Sequence, residues 1–543
     1  MSGAISVGIN DMRPRIVSSD NPLFTFKGSD WLRVPDELKP YSAMWVNGET
    51  VTTNELQAFE TANIPVIVQG ENYNSCEGSM VIPIATLHTW LSTYDNIIGV
   101  SFVEQSCAGL TSTQETRIID TIEECAGHDA LFIWEDMGYT DRKNVFAKAG
   151  DDSDIFAAID DYKDDIIMVN KMNGAGQYFL TQSIIEGFWT TGLINAWGIN
   201  SEDFWWWENG FEDLYTASGG LQHGASMEKS RYSIPDALIG QMVGLAMSHG
   251  ACVFSFENSD RLIEYDDTLV PAFTKVIAPL HDLAIKEKVI PTREQVISKI
   301  KVAYYADDWT ATPLALPGEN LFMDLYGLDE HTESWVSTND CSAEFLPSTG
   351  RFFGIPIIPN LGETEGEDTF DTIIESGTMP GNKVTYFEGL YTENPTGTSC
   401  AMNSGRTWFI TNPYENTNTD TTFGGVNMSQ GYYILSGTVK PHSYIYAREI
   451  NDGISLHVNN YTIDTDTAIW DNEEYTAATF LTEYVDPDCE YATTTRVTSI
   501  TVDGLSKSSN ITSVGGSVVT TWNGDGYTIT VTHNGPVDIN IKP

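Results

Sequence analysis

The first half of the chain alternates short apolar runs with amphipathic segments, and this alternation constrains the fold more than any other feature. The runs are rich in Val, Ile and aromatic residues and are bounded by turn residues, as buried parallel strands are. Eight predicted strands result: Leu23–Phe26, Ser42–Val46, Val66–Val68, Ile97–Val103, Ala130–Trp134, Ile166–Val169, Leu193–Trp197 and Cys252–Phe256. They predict an α/β fold of the (β/α)8 TIM-barrel type over residues 1–290. A doubly wound open sheet is the alternative, although no G-x-G-x-x-G follows any strand.

The segments between the strands carry helix signals. Ser112–Ala126 opens with S-T-Q-E, a capping-box pattern, and spaces its apolar residues at helical intervals. Thr53–Ala62 and Ile84–Tyr94 precede it, Ser233–Ser248 has a proline in its first turn, and Thr268–Lys288 is the eighth helix. Helices are therefore predicted to alternate with the strands.

The sequence changes character after Lys288, where helical periodicity fades. Short runs rich in Thr, Val, Ile and Tyr are separated by turn residues, a pattern typical of antiparallel strands. We predict a β-sandwich region over 291–543. Within it, 291–345 fits neither the helical nor the strand pattern, and the acidic stretch Gly362–Asp371 is predicted to be a mobile loop. The predicted strands include Trp408–Thr411, Tyr432–Leu435, Ser443–Ala447, Ser455–Val458, Arg496–Val502, Ser517–Trp522 and Tyr527–Thr532, with a hairpin turn at Asn523–Gly526.

The charge balance limits the partners. The chain has 76 acidic and 28 basic side chains, a net charge of -48, and no cluster of Lys and Arg. Nucleic acid and anionic membranes are therefore excluded, since both are bound through basic surfaces. A neutral or lightly charged ligand fits best, a monomer is expected, and no apolar run reaches the roughly 18 residues of a membrane span.

Cysteine and histidine spacing gives no metal motif. The seven Cys form no C-x-x-C pair and the nine His form no H-x-x-x-H, so no structural zinc and no cofactor is expected. Cys252 lies in an apolar run and is predicted to be core. Cys76 and Cys107 follow neighbouring strands, so a disulfide between them is one alternative if the protein is exported. Met1–Ile9 lacks signal-peptide features, which leaves a cytoplasmic protein or an exported one with its signal removed.

Acidic and amide side chains follow the predicted strands, at the rim where a (β/α)8 barrel forms its active site. Cleavage of a glycosidic bond needs one protonated and one ionised carboxyl group. The set therefore predicts a glycoside hydrolase, with tryptophan rings as flat surfaces for sugars. The candidates, in strand order, are Gln69, Glu71 and Asn72; Glu104 and Gln105; Glu135; Lys171; Glu202, Asp203, Trp205, Trp206 and Trp207; and Glu257 and Asn258.

Each candidate also has a structural explanation. Glu104 and Glu257 could form ion pairs, Glu135 and Asp203 could begin helices, and the tryptophans could lie in the core. The coincidence of several acids on one rim favours catalysis. The sequence does not favour a serine or cysteine nucleophile. There is no G-x-S-x-G motif, and no histidine lies at a predicted strand end to activate a cysteine.

Several segments resemble glycoside hydrolase family 98 over nearly the whole chain. I-I-G-V-S-F-V-E-Q resembles the strand that carries the family's general acid, G-I-N-S-E-D-F-W the segment with a general base, and V-F-S-F-E-N a strand with an acid that assists the base. V-I-P-T-R-E-Q-V is similar to the junction after the barrel. W-F-I-T-N-P-Y, H-V-N-N-Y and T-H-N-G-P-V-D-I are similar to the family's β-domain.

The resemblance implies an exported endo-β-1,4-glycosidase that works with inversion. It implies Glu104 as general acid, Asp203 as general base and Glu257 as the partner of the base, with Glu202 as the alternative base. Lys171 also matches a family position in the cleft, as does Gln69.

Three hypotheses on substrate and function remain open. Members acting on blood-group glycans carry D-D-T-G-W at the base, where this chain has S-E-D-F-W-W-W. A galactose-containing glycan is the leading expectation and decorated xylan is the alternative. A non-catalytic glycan-binding protein is the second alternative.

Overall fold

The structure is a computed structural model. It describes residues 13, 15–27, 30–74, 78–105, 111–136, 145–171, 178–201, 236–256, 262–265, 268–305, 355–375, 389–391, 395–404, 406–412, 420–428, 432–451, 453–461 and 495–543. Within these ranges no helix is long and apolar enough to cross a membrane.

Eight parallel strands close into a barrel, which confirms the predicted fold. The ring closes because β1 (Leu23–Lys27) pairs with both β2 (Ser42–Asn47) and β9 (Val253–Phe256), and β2 pairs with β3 (Val66–Asn74). A ninth strand, β4 (Gly78–Val81), forms an antiparallel hairpin with β3 and was not predicted. The barrel strands are β1 (Leu23–Lys27), β2 (Ser42–Asn47), β3 (Val66–Asn74), β5 (Ile97–Val103), β6 (Leu131–Asp136), β7 (Ile166–Lys171), β8 (Ala196–Ser201) and β9 (Val253–Phe256).

The seventh barrel strand begins later than predicted. Leu193 does not start β8, because its backbone N–H donates to the Phe188 carbonyl at 2.9 Å and so ends the preceding helix. The strand is therefore Ala196–Ser201 rather than Leu193–Trp197, and this places Asn200 and Ser201 inside it.

Helices surround the barrel as the alternation predicts. The capping box of α3 lies one residue earlier than predicted, since Thr111 caps the helix and pairs with Gln114. The predicted helix Thr268–Lys288 begins only at Pro271, because Thr268–Leu269 forms a short strand, β11, against β10 (Glu264–Tyr265). The helices are α1 (Thr53–Ala62), α2 (Ile84–Thr93), α3 (Ser112–Ala126), α4 (Val145–Asp151), α5 (Ser153–Asp161), α6 (Tyr178–Thr190), α7 (Asp236–Ser248), α8 (Ala278–Asp282, between π-helical turns Phe273–Ile277 and Leu283–Glu287), α9 (Arg293–Ile297) and α10 (Glu363–Thr369).

A small parallel sheet follows the barrel and was not predicted. Its strands are β12 (Ala303–Tyr305), β13 (Ile357–Ile358) and β14 (Ile373–Glu375), in the order β13-β12-β14. The mobile loop predicted at Gly362–Asp371 is wrong, because most of this stretch is α10. Gly366 of α10 packs against Ile358, where an added Cβ would lie 2.4 Å from the side chain, and Phe370 is buried.

Two six-stranded antiparallel sheets form the C-terminal β-sandwich, as predicted. Their facing side chains share one core that includes Ile410, Leu435 and Ile539. The predicted turn at Asn523–Gly526 joins β24 to β25, and the Asn523 side chain accepts the Gly526 N–H at 2.8 Å. The sheets run β15-β18-β19-β22-β25-β24 and β16-β17-β20-β21-β26-β23. The strands are β15 (Thr396–Gly397), β16 (Cys400–Ser404), β17 (Thr407–Thr411), β18 (Thr421–Asn427), β19 (Ile434–Val439), β20 (Tyr444–Ile450), β21 (Gly453–Asn459), β22 (Arg496–Asp503), β23 (Asn510–Val514), β24 (Ser517–Trp522), β25 (Gly526–His533) and β26 (Val537–Lys542).

Helix α7 joins the barrel to the sandwich through a close backbone contact. A Cβ added at Gly240 would lie 2.6 Å from the Tyr444 ring, and one at Gly244 would lie 2.5 Å from the Phe409 ring. The Tyr446 hydroxyl also donates to the Gly244 carbonyl at 3.0 Å. Glycine is therefore required at both positions, since a side chain would push the two domains apart.

Candidate active site

Polar side chains gather where the barrel strands end, at the rim that carries active sites in this architecture. Buried polar groups need hydrogen-bond or ionic partners, so those partners decide what each residue can do. The residues are Gln69, Glu71, Glu104, Gln105, Glu135, Asp136, Asn170, Lys171, Asn200 and Ser201, each no more than 9% exposed.

Glu104 directly follows β5 and is fixed from two sides. Its backbone N–H donates to the Glu135 carbonyl at 3.1 Å, and its φ of 59° lies in the left-handed region. That conformation costs a non-glycine residue about 1–2 kcal/mol, and such strain clusters at functional sites. Oε1 of Glu104 forms an ion pair with Nζ of Lys171, which is buried at the end of β7. Oε2 makes no hydrogen bond with any residue that the structure describes.

Gln105 and Asp136 hold the chain that leaves Glu104. The Gln105 N–H donates to Oδ2 of Asp136 at 2.7 Å, and the Gln105 side-chain amide donates to the Val103 carbonyl at 3.2 Å. Asp136 therefore helps to fix the backbone that directly follows Glu104.

The carboxylate of Glu135 points into the barrel. Oε1 accepts a hydrogen bond from Nδ2 of Asn200 in β8, and Oε2 accepts one from Oγ of Ser255 in β9 at 3.3 Å. These strands lie two and three places around the ring from β6, so the bonds cross the barrel interior. The Glu135 carboxylate is thus held from two other strands, while its carbonyl accepts the Glu104 N–H.

The predicted residues of β3 have different surroundings. Oε2 of Glu71 lies 2.7 Å from Nε of Arg117 in α3; burial raises the pKa of Glu71, and Arg117 opposes that rise. Gln69 is buried, and its carbonyl accepts the Gly48 N–H at 3.1 Å. Asn72 pairs through its backbone with β4. Glu71 is therefore bound to a surrounding helix.

The remaining predicted site residues lie outside the described ranges. The structure describes β8 to Ser201 and β9 to Phe256. The roles of the residues beyond these points stay predictions, as does the disulfide between Cys76 and Cys107. The site residues concerned are Glu202, Asp203, Trp205, Trp206, Trp207, Glu257 and Asn258.

The structure adds residues that the sequence did not single out. Asn200 and Ser255 are polar residues within apolar strands, and that interruption was the available signal. Arg117 could not be found this way, because it lies 46 residues from Glu71 on a helix. Cys252 is buried as predicted, and burial raises the pKa of its thiol to about 12.

Two family models cover nearly the whole chain. The model for glycosyl hydrolase family 98 matches residues 21–291, and the model for the family 98 C-terminal domain matches residues 293–543. The chain belongs to glycoside hydrolase family 98. The resemblance in the sequence is thereby confirmed.

Relatives of this family 98 protein include the blood-group-substance endo-1,4-beta-galactosidase of Clostridium perfringens. The two are 23% identical over 495 residues, and the match covers 82% of this chain and 58% of the relative. The chain thus spans less than two thirds of that enzyme's length.

Solved structures of family 98 share the fold. The catalytic module from Streptococcus pneumoniae TIGR4 in complex with the H-disaccharide blood group antigen has a TM-score of 0.81 at 22% identity. The match covers 97% of this chain and all of that one. The complex of the module from the same organism with the LewisY pentasaccharide gives 0.79, also at 22% identity and with the same coverage. These likenesses confirm the barrel followed by a β-sandwich.

Proposed function

We propose that this family 98 protein is an endo-acting glycosidase that cleaves internal β-1,4 bonds with inversion, and that Glu104 is its general acid. The observation that carries the proposal is the environment of Glu104 at the strand-end rim. Lys171 binds one carboxylate oxygen, while the other has no partner in the described part of the chain. An acid that serves a leaving oxygen needs such a free position.

The proposed reaction divides the proton transfers between two acids. In the proposed enzyme–substrate complex Glu104 carries a proton on Oε2, while Oε1 accepts a hydrogen bond from Lys171. Glu104 gives this proton to the leaving glycosidic oxygen as the bond to the anomeric carbon breaks. Asp203, assisted by Glu257, takes a proton from the water that attacks this carbon from the opposite face; Glu202 is the alternative base. Inverting enzymes hold acid and base about 6.5–9.5 Å apart to admit that water.

Lys171 has a specific part in this proposal as a positioning residue. When Glu104 loses its proton it becomes an anion, and a buried ammonium group in contact with Oε1 stabilises the charge that develops. The same contact restricts rotation of the carboxyl group. The side chain of Lys171 is only 2% exposed, so water screens this interaction little.

A galactose-containing glycan or polysaccharide is the proposed substrate. The relative from Clostridium perfringens is by name a blood-group-substance endo-1,4-beta-galactosidase, and the Streptococcus pneumoniae modules were solved with blood group antigens. Gln69, Asn72, Gln105 and Glu135 are proposed to contribute to sugar binding. A neutral substrate also suits a chain with a net charge of -48.

Decorated xylan is the second candidate, favoured by the run Trp205–Trp207, which departs from the pattern of blood-group-active members. A non-catalytic glycan-binding protein is a third, disfavoured by the strained and paired Glu104. We further propose that the protein is exported and monomeric.

A digestion panel tests the function. Galactans, blood-group glycans and xylans are incubated with the protein, and product sizes distinguish internal from terminal cleavage. Glu104→Gln should lower kcat by about 10²–10⁴-fold while substrate still binds. Glu123→Gln, the same change at an exposed position of α3, is the matched control.

The outcomes separate the proposals. Proton NMR of the first product shows whether the anomeric configuration is inverted. Near-normal turnover by Glu104→Gln would refute its role as the acid. Binding without cleavage of any glycan by the unmodified protein would favour the non-catalytic alternative.

A further inference from the structure

A cluster of metal-binding side chains lies on the outside of the barrel. Nδ1 of His88 lies 2.8 Å from Oε1 of Glu124, and Nε2 of His128 lies 2.9 Å from the same oxygen. The three possible ligand atoms all lie within 4.8 Å of one another. His128 precedes the first residue of β6, whereas Glu135 is its last residue but one, so this cluster is at the opposite end of that strand from the candidate active site.

We propose that His88, Glu124 and His128 bind a divalent transition-metal ion of the Zn²⁺ class. Two imidazole nitrogens and one carboxylate oxygen suit Zn²⁺ and its neighbours, whereas Mg²⁺ and Ca²⁺ prefer oxygen ligands throughout. Water completes the coordination, because the His88 side chain is 61% exposed.

The two ring nitrogens already lie close to the same carboxylate oxygen. They are 2.8 and 2.9 Å from Oε1 of Glu124, and the ring centroids are 5.3 Å apart. Ligand atoms around tetrahedral Zn²⁺ at 2.0–2.2 Å are separated by roughly 3.3–3.6 Å. The two contacts therefore widen by less than about 1 Å on binding, which an exposed histidine can accommodate by rotating.

The backbone that carries the ligands is held by one partly buried arginine. Nη1 of Arg13 donates to the His128 carbonyl at 3.1 Å. Nη2 of Arg13 donates to the carbonyls of Leu91 and Tyr94, at the end of α2, at 3.0 and 3.1 Å. The positive charge of Arg13 is balanced by Asp95, 3.1 Å away. The helix that carries His88 is thereby tied to the turn that carries His128.

The surrounding charge favours a cation. Asp120 and Glu123 lie exposed on the same helix as Glu124, and Asp129 is exposed next to His128. In a chain with a net charge of -48, these groups add to the attraction between the cluster and a divalent ion. The proposal departs from the expectation that no structural zinc is present, because His88 lies 36 residues from Glu124 and no short motif reveals it.

Calorimetric titration with Zn²⁺ alone tests the site on the full chain after treatment with EDTA. The unmodified protein should bind Zn²⁺ saturably, and excess Mg²⁺ should not displace it. His88→Ala, His128→Ala and Glu124→Gln should each weaken this binding by about tenfold or more. Glu123→Gln removes the same charge one residue away but no ligand, so it should weaken the binding of Zn²⁺ far less than Glu124→Gln does.

Two further readings make the result decisive. X-ray absorption at the zinc edge should show two nitrogen ligands with the remainder oxygen, and Zn²⁺ should raise the Tm of the unmodified protein but not of Glu124→Gln. Absence of saturable binding would overturn the proposal. If all three ligand variants bound Zn²⁺ with the affinity of the unmodified protein, the proposal would also be overturned, since the ion would then lie elsewhere.

Discussion

His281 makes the stability of the barrel depend on pH in a way that can be calculated. Its ring is fully buried against Phe24, with ring centroids 3.8 Å apart, and neither ring nitrogen has a hydrogen-bond partner among the residues described. Burial lowers its pKa to about 3, from an ordinary value near 6.5. The folded protein therefore keeps this ring neutral at pH values where the unfolded chain protonates it.

The magnitude follows from the difference between the two pKa values. Above pH 6.5 the ring is neutral in both states and adds no pH dependence. Below pH 6.5 the unfolded state binds a proton that the folded state does not, so the free energy of unfolding falls by about 1.4 kcal/mol per pH unit. At pH 4.5 the loss is about 2.7 kcal/mol, and the decline ends near pH 3.

The variant His281→Phe isolates this effect. Phenylalanine keeps a ring against Phe24 but cannot be protonated, so the variant should lose about 2.7 kcal/mol less than the unmodified protein between pH 7.5 and 4.5. Urea unfolding followed by tryptophan fluorescence at the two pH values measures this, and titration of the shared carboxylates cancels in the comparison. An identical pH dependence in the two proteins would refute the reasoning.

Three further substitutions probe the site and the packing. Lys171→Met should lower kcat about 100-fold or more with little change in KM, because Glu104 loses its buried cation, whereas an unchanged kcat would contradict that role. Arg117→Met should cost about 3–5 kcal/mol at pH 7, because the buried Glu71 carboxyl group loses its cation. Since burial raises the pKa of Glu71, this loss should shrink as the pH falls and Glu71 takes up a proton; a loss that does not change with pH would exclude the ion pair as its cause. Gly244→Val should cost about 1–3 kcal/mol in urea unfolding by clashing with the Phe409 ring. Gly389→Ala, which adds a methyl group in open space, should cost nothing, and equal losses in the two would contradict the packing argument.

The barrel could be predicted from the sequence because its strands are buried on both faces. That burial makes strands such as Ile97–Val103 continuous apolar runs, and the match to β5 is complete. Short elements after the barrel carry too little pattern to be predicted. β13 has two residues and β12 three, too few to show any period, and the helix α10 consists mostly of acidic and small residues that resemble a loop.

The sequence predicted which residues of the candidate site lie at strand ends, but not which of them contact one another. Glu104 and Lys171 could be placed at strand ends, because position on a barrel rim follows from strand order. Their contact could not, since it joins residues 67 apart and depends on side-chain direction. The bonds from Asn200 and Ser255 to Glu135 cross the barrel, and no local pattern encodes such pairs.

The absence of side chains at Gly240 and Gly244 of α7 limits which β-sandwich can be joined to this barrel. This helix lies between β8 and β9 in the chain, so the barrel half already has a surface that fits two rings of the sandwich half. A chimaera that exchanged everything after Pro291 for the sandwich of a relative would present this recess to foreign side chains. Unless the foreign sandwich carried aromatic rings at the positions of Tyr444 and Phe409, a cavity would form between the barrel and the sandwich. The two halves are therefore expected to be inherited, and engineered, as a matched pair.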